Sequence, residues 1–146
     1  MNAIERSTSQ YISNSDIQTL IGGMPAKHVL LVTDACFAGD LFRGSVEMLP
    51  YENTPNYFKN VAKRKSRKAL TSGGLEPVMD GGAEGHSVFA YYLLKALATT
   101  EGKFFDTYQL FDKLRIPVAN NSEQIPELQA IKNTGDEGGQ FVFVRK

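Results

Sequence analysis

Apolar positions along this chain come in short runs set between glycine, proline and polar stretches, and their spacing assigns most of the runs. Asn14, Ser15 and Asp16 supply capping side chains for a short helix over 17–21, which Gly22 and Gly23 stop. Pro25 leads into VLLV at 29–32, apolar on both faces, the pattern of a central parallel strand covered by helices. Residues 43–66, RGSVEMLPYENTPNYFKNVAKRKS, show no clear period and exceed the roughly 12–15 residues usual for a structureless connection, so a functional or mobile excursion is expected there. KALTS at 68–72 reads as a second strand closing into Gly73 and Gly74.

The clearest helix covers 87–98. Val88, Phe89, Tyr92, Leu93, Ala96 and Leu97 recur at helical spacing and define one buried stripe. A second helix fits 106–115, with Asp106 and Gln109 placed for a capping box and Pro117 as its stop. ELQAI and QFVFV follow as strands, separated by the turn-rich NTGDEGG. Strands interleaved with helices in this order predict an α/β domain built on one sheet.

Length and composition narrow the field. A chain of 146 residues is enough for one domain with a core and too short for two ordinary ones. Sixteen basic and sixteen acidic side chains cancel, so there is no global attraction to nucleic acid or to an anionic membrane. No apolar run approaches the roughly 18 residues of a membrane span, and the polar start MNAIERSTSQYISNSD lacks a signal-peptide pattern. A single cysteine forms no internal disulfide, so the fold does not rely on an oxidising compartment and a cytoplasmic location is expected.

That cysteine is the first candidate for chemistry. In HVLLVTDACFAGDLF, residues 28–42, a hydrophobic strand runs into Asp34, Cys36 and Gly39. Reactive groups in open α/β sheets sit at the carboxyl ends of strands, where a turning backbone exposes N–H groups to an oxyanion. The competing reading of Cys36 is a small buried hydrophobe, and that of Asp34 a carboxylate capping nearby loop amides.

VLLVTDACFAG resembles the nucleophile segment of the caspase-like cysteine peptidases (peptidase C14), in particular the metacaspase and bacterial caspase-family branch, which carry Asp-x-Cys-x-x-Gly after a hydrophobic strand. SRKALTSGGLEPVMDGGAEGHSVFAYYLLKAL and GDEGGQFVFVRK resemble later parts of the same domain, so the likeness spans about 12–146. It implies a caspase-like three-layer α/β/α fold lacking the N-terminal strands of the full domain. The expected organisation is one domain over 1–146, with a nucleophile strand at 28–36, a long basic loop at 41–67 and a small-subunit-like part at 68–146. It also implies a thiol endopeptidase acting on polypeptides, with Cys36 as the catalytic nucleophile and its own N–H helping to hold the oxyanion. Asp34 falls at the carboxylate of the substrate pocket, which gives a preference for Arg or Lys rather than the aspartate favoured by classical caspases. Ser72, ending the neighbouring strand, is a candidate for lining the cleft, with a plain turn residue as the alternative.

The proton acceptor is missing. His28 and Cys36 lie at opposite ends of one strand, about 26 Å apart at about 3.3 Å per residue. His86 precedes a helix and reads as its start rather than as a base. The family's His-Gly segment would stand about 50 residues before the cysteine, which is before Met1. The chain alone is therefore expected to have little peptidase activity and to expose an apolar sheet edge or face open to self-association. A non-catalytic caspase-like interaction module is the alternative.

KNVAKRKSRK at 59–68 holds six basic residues in ten. A solvated basic linker is the first reading, a processing site cut after Arg or Lys the second, and phosphate contact the third. Glu76, Asp80 and Glu84 offer carboxylates for calcium, to which some metacaspase-like enzymes respond, but without the fixed spacing of an EF-hand loop; solvated side chains are the simpler reading, and no cofactor is expected.

Overall fold

The computed structural model of the chain describes residues 12–36, 41–42, 54–73 and 85–146. Four helices and five strands follow in the order α1 (Asn14–Gly23), β1 (His28–Cys36), α2 (Pro55–Lys63), β2 (Ser66–Gly73), α3 (Val88–Thr99), β3 (Phe104–Asp106), α4 (Thr107–Asn121), β4 (Glu127–Ala130) and β5 (Val142–Val144). The fold is mixed α/β. β2 is the centre of a three-stranded sheet, parallel to β1 and antiparallel to β4.

Side chains alternate across this sheet into two cores. Leu30 and Leu70 face Phe89, Leu110, Leu114 and Val118, so α3 and α4 cover one side. Val29, Leu31 and Ala69 face Ile17, Ile21 and Phe42, so α1 covers the other. All of β2 is buried, while β1 is only half covered, because β1 is the sheet's edge and β2 its middle. Among the described residues no helix is long and apolar enough to cross a membrane.

Several boundaries move for identifiable reasons. Helix α1 is capped by Ser13, whose hydroxyl accepts the Asp16 amide while Asp16 returns to the Ser13 backbone, and so it begins before the expected residue 17. Helix α4 has the expected capping box of Asp106 and Gln109 but continues through Pro117 to Asn121. Packing of Val118 holds that last turn, while the Asn121 and Ser122 side chains bond the carbonyls of Pro117 and Val118. QFVFV does not join the main sheet; β5 pairs antiparallel with the unexpected strand β3, with Phe105 stacked on Phe143 at 4.8 Å between ring centroids.

The expected loop at 41–67 is not a loop where it is described. Leu41 and Phe42 are buried, with Phe42 bridging Ile131 just after β4, and Thr54 caps α2 with Pro55 in its first turn. Arg67 and Lys68 belong to the central strand and are each 1% exposed. The Arg67 guanidinium donates to the carbonyls of Met24, Ala26, Lys27 and Ser66, tying the α1–β1 connection to β2. Lys68 Nζ lies 3.9 Å from Asp136 and 5.6 Å from the Tyr108 ring centroid, and burial lowers its pKa. The basic run is thus part helix and part core, which corrects its reading as a solvated linker. It leaves Lys59, Lys63 and Arg64 exposed to a protease or a phosphate.

Candidate functional site

The carboxyl end of β1 is built by a change of register. From His28 to Thr33 the strand pairs residue for residue with Ser66 to Thr71, but Cys36 then pairs with Gly73. Asp34 and Ala35 on β1 therefore stand against Ser72 alone. Such a bulge bends the strand and re-aims its side chains, which gives physical content to the abrupt change after VLLVT.

Asp34 is exposed, yet it has a fixed partner. The Ser87 hydroxyl donates to Asp34 Oδ2, and Ser87 Oγ itself accepts the Ala90 amide at 3.0 Å as the N-cap of α3. The carboxylate is thus held at the amino end of a helix, where the aligned peptide dipoles favour negative charge. The alternative reading of Asp34 as a carboxylate bonded to neighbouring loop amides finds a different partner here: the hydroxyl of a helix cap 53 residues away.

Ser72 sits across from the bulge and is fully buried, and its hydroxyl has no hydrogen-bond partner among the described residues. It belongs to the floor of this end of the sheet rather than to an open surface. His86 is exposed and, being adjacent to Ser87, stands near the same strand end. His28 is at the far end of β1, with Nε2 3.0 Å from the Arg64 carbonyl oxygen. That carbonyl can only accept, so Nε2 is the donor. The structure brings Asp34, Ser72 and the Cys36 backbone together and leaves His28 apart from them.

Sequence reasoning missed Ser87 as part of the site. The signal was present: a serine ahead of the stripe beginning at Val88 is a capping residue, and a cap tied to a strand end fixes where the helix starts. Nothing in the sequence named Asp34 as the group it would bond.

No cluster of three or more metal-ligating side chains occurs among the described residues, and Glu76, Asp80 and Glu84 lie outside them. An open groove of about 440 Å³ runs between α2 and the β3–β5 pair, lined by Pro55, Phe58, Phe104, Val142 and Val144 with His28 and Lys59 beside them. It opens at the amino end of β1, away from Asp34. Comparison of the chain with protein-family models, with curated proteins and with solved structures finds no match.

Proposed function

We propose that this chain is the C-terminal portion of a caspase-like cysteine endopeptidase domain, with Cys36 as nucleophile and Asp34 receiving the Arg or Lys side chain that precedes the scissile bond. The observation that supports this best is the placement of Asp34 in a bulge, and of Cys36 directly after it, at the carboxyl end of a strand parallel to its neighbour, where α/β sheets open their crevices. Asp34 is exposed to an incoming cation, and Ser87 together with the start of α3 orients its charged form. A guanidinium can meet the carboxylate with paired donors, and an ammonium with one.

In the proposed reaction the Cys36 thiolate adds to the peptide carbonyl carbon, and the carbonyl π pair moves to oxygen. That oxyanion is held by the Cys36 N–H. Collapse expels the amine, which takes up a proton, and leaves a thioester; water then releases the acid and regenerates the thiol. Ser72 supports the floor beside the bulge. In the family the thiol proton goes to a histidine from the His-Gly segment, and neither His28 nor His86 occupies that place in the sequence. The thiol needs a reducing compartment, which fits a cytoplasmic setting.

A second reading, a non-catalytic caspase-like module that binds partners or other copies through its sheet, is favoured by the position of β1 as an edge strand among the described residues. Labelling separates the two. A thiol-reactive peptide ending in Arg is expected to modify Cys36, located by peptide mass mapping, faster than the same peptide ending in Asp. Equal modification by both removes the assignment of Asp34 to the cationic side chain, and no modification of Cys36 by either favours the binding module.

A further inference from the structure

Six of the sixteen basic side chains of the chain fall in KNVAKRKSRK at 59–68. By composition this run is a target for enzymes that cut after Arg or Lys, yet susceptibility follows the burial and hydrogen bonding of the backbone rather than the sequence. A peptidase needs the scissile carbonyl free to enter its oxyanion hole and an extended stretch of chain to lay along its cleft. In this run the peptide groups that follow Arg64, Lys65, Arg67 and Lys68 are already engaged.

Most of the engagement comes from the turn-rich NTGDEGG, whose composition marks it only as a separator between strands. Its Glu137 holds Lys65 from both sides: Oε2 accepts the Lys65 amide at 2.9 Å, and the Glu137 amide donates to the Lys65 carbonyl at 3.0 Å. The Gly139 amide donates to the same carbonyl at 3.2 Å, and His28 Nε2 donates to the Arg64 carbonyl at 3.0 Å. Asp136 Oδ2 accepts the Arg67 amide at 2.7 Å, while its Oδ1 accepts the Gly138 amide and so fixes the carboxylate within its own loop. The Ile131 amide donates to the Arg67 carbonyl at 2.8 Å, and Lys68 is paired on both sides in the middle of the sheet. Upstream, the Gln140 amide reaches the Val61 carbonyl at 3.2 Å. Gly138, at φ 76°, lets the loop turn onto the run, and the backbone of Arg64 and Lys65 lies so close to residue 139 that a Cβ there has no room.

We infer that the 136–140 loop is a clasp that shields the basic run from cleavage after Arg64 and Lys65, with Glu137 as its main fastening. The Arg64 side chain is exposed while the peptide group behind it is held, so the charge is open to solvent and the bond is not. The run is then a guarded segment rather than a processing site. One consequence rests on the endopeptidase reading: an enzyme that prefers Arg or Lys carries its densest cluster of acceptable residues beside its own central strand, and the clasp keeps one copy from cutting another there.

Limited digestion with trypsin, followed by mass mapping, reads the clasp without calling on the chain's own activity. The folded chain is expected to be cut after Arg64 and Lys65 at least about a hundredfold more slowly than a free synthetic peptide of residues 59–70, since cleavage of a held segment follows the population of its open form. Protection below that factor overturns the inference. Glu137→Ala is expected to lose about tenfold of the protection at these two bonds, and Glu137→Gln, which keeps an acceptor oxygen without the charge, a smaller part of it. Bonds after Lys113 and Arg115 on α4 report general unfolding and should be cut at the wild-type rate in both variants. Acceleration at all four bonds alike, or at none, overturns the inference; should Glu137→Ala not fold, Glu137→Gln carries the comparison. Protection that stays intact while Cys36 labelling shows no preference for the Arg-ended probe rejects the self-protection consequence and leaves the clasp standing.

Discussion

The Ser87 hydroxyl donates to Asp34 while its oxygen accepts the Ala90 amide, so one side chain joins the start of α3 to the end of β1. Ser87→Ala removes both contacts and is expected to cost about 1 kcal/mol, the usual value of a lost N-cap. Ser87→Asp keeps a capping oxygen but sets a second carboxylate against Asp34, so it should recover less than a cap alone would give. Urea denaturation of the three proteins measures both. Equal stability of wild type and Ser87→Ala would mean that the bridge does not hold the site.

Lys68 makes stability depend on pH below about 10.5. Burial lowers its pKa from the ordinary 10.5, partly offset by Asp136 and then Asp106. Between the lowered folded value and 10.5 the unfolded chain binds more protons, so stability rises with pH through that window and levels off at its upper end. Tyr108 opposes this higher up: burial raises its pKa above 10.0, so above pH 10 the unfolded chain loses that proton first and stability falls. Thermal melts across this range should show the rise in wild type and none in Lys68→Met.

Gly139 is needed for a close approach. A Cβ there would stand 2.2 Å from the Arg64 carbonyl oxygen and 2.9 Å from that of Lys65, both backbone atoms with little freedom to move. The same loop bonds the strand start through Glu137 and Gly139 amides to Lys65 O and through Gln140 to Val61 O. Gly139→Ala should therefore lift the loop off β2 and cost about 3 kcal/mol. Gly23→Ala, with open space around it at the end of α1, should raise stability by up to about 1 kcal/mol. Chemical denaturation of both variants checks the contrast.

Elements with a strong local signal were legible in the sequence. VLLV, KALTS and the stripe from Val88 to Leu97 fold as a strand, a strand and a helix, and the Asp106–Gln109 capping box forms as expected. Helix α2 was lost to an apparently irregular stretch, although Thr54-Pro55 marks a helix start and Tyr57, Phe58, Val61 and Ala62 carry a helical period. Pro117 misled because local propensity argued for a stop and tertiary packing of Val118 overrode it.

Long-range pairing was the illegible part. VLLV is apolar on both faces whether it lies in the middle of a sheet or at its edge, and only the strand order shows that β2 is central. QFVFV has a strand's composition but nothing that specifies Phe104–Asp106 as its partner. Arg67 and Lys68 look solvated in a basic run; their burial depends on carbonyls of residues 24–27 and on Asp136, distant in sequence. For the candidate site, Asp34 and Ser72 were singled out by position alone, while the tie of Asp34 to α3 needed coordinates.

The specificity of Cys36 labelling in an Asp34 variant tests the central claim most directly. Asp34→Asn keeps an oxygen that accepts from Ser87 but removes the charge, so α3 should stay capped while the pairing with a cation is lost. The measured quantity is the ratio of second-order labelling rates for Arg-ended and Asp-ended probes. Removal of one favourable and one unfavourable charge contact should lower that ratio by about tenfold or more, since each 1.4 kcal/mol is a factor of ten. A ratio unchanged between wild type and Asp34→Asn, in a protein of equal stability, would contradict the assignment of Asp34 to the substrate's cationic side chain.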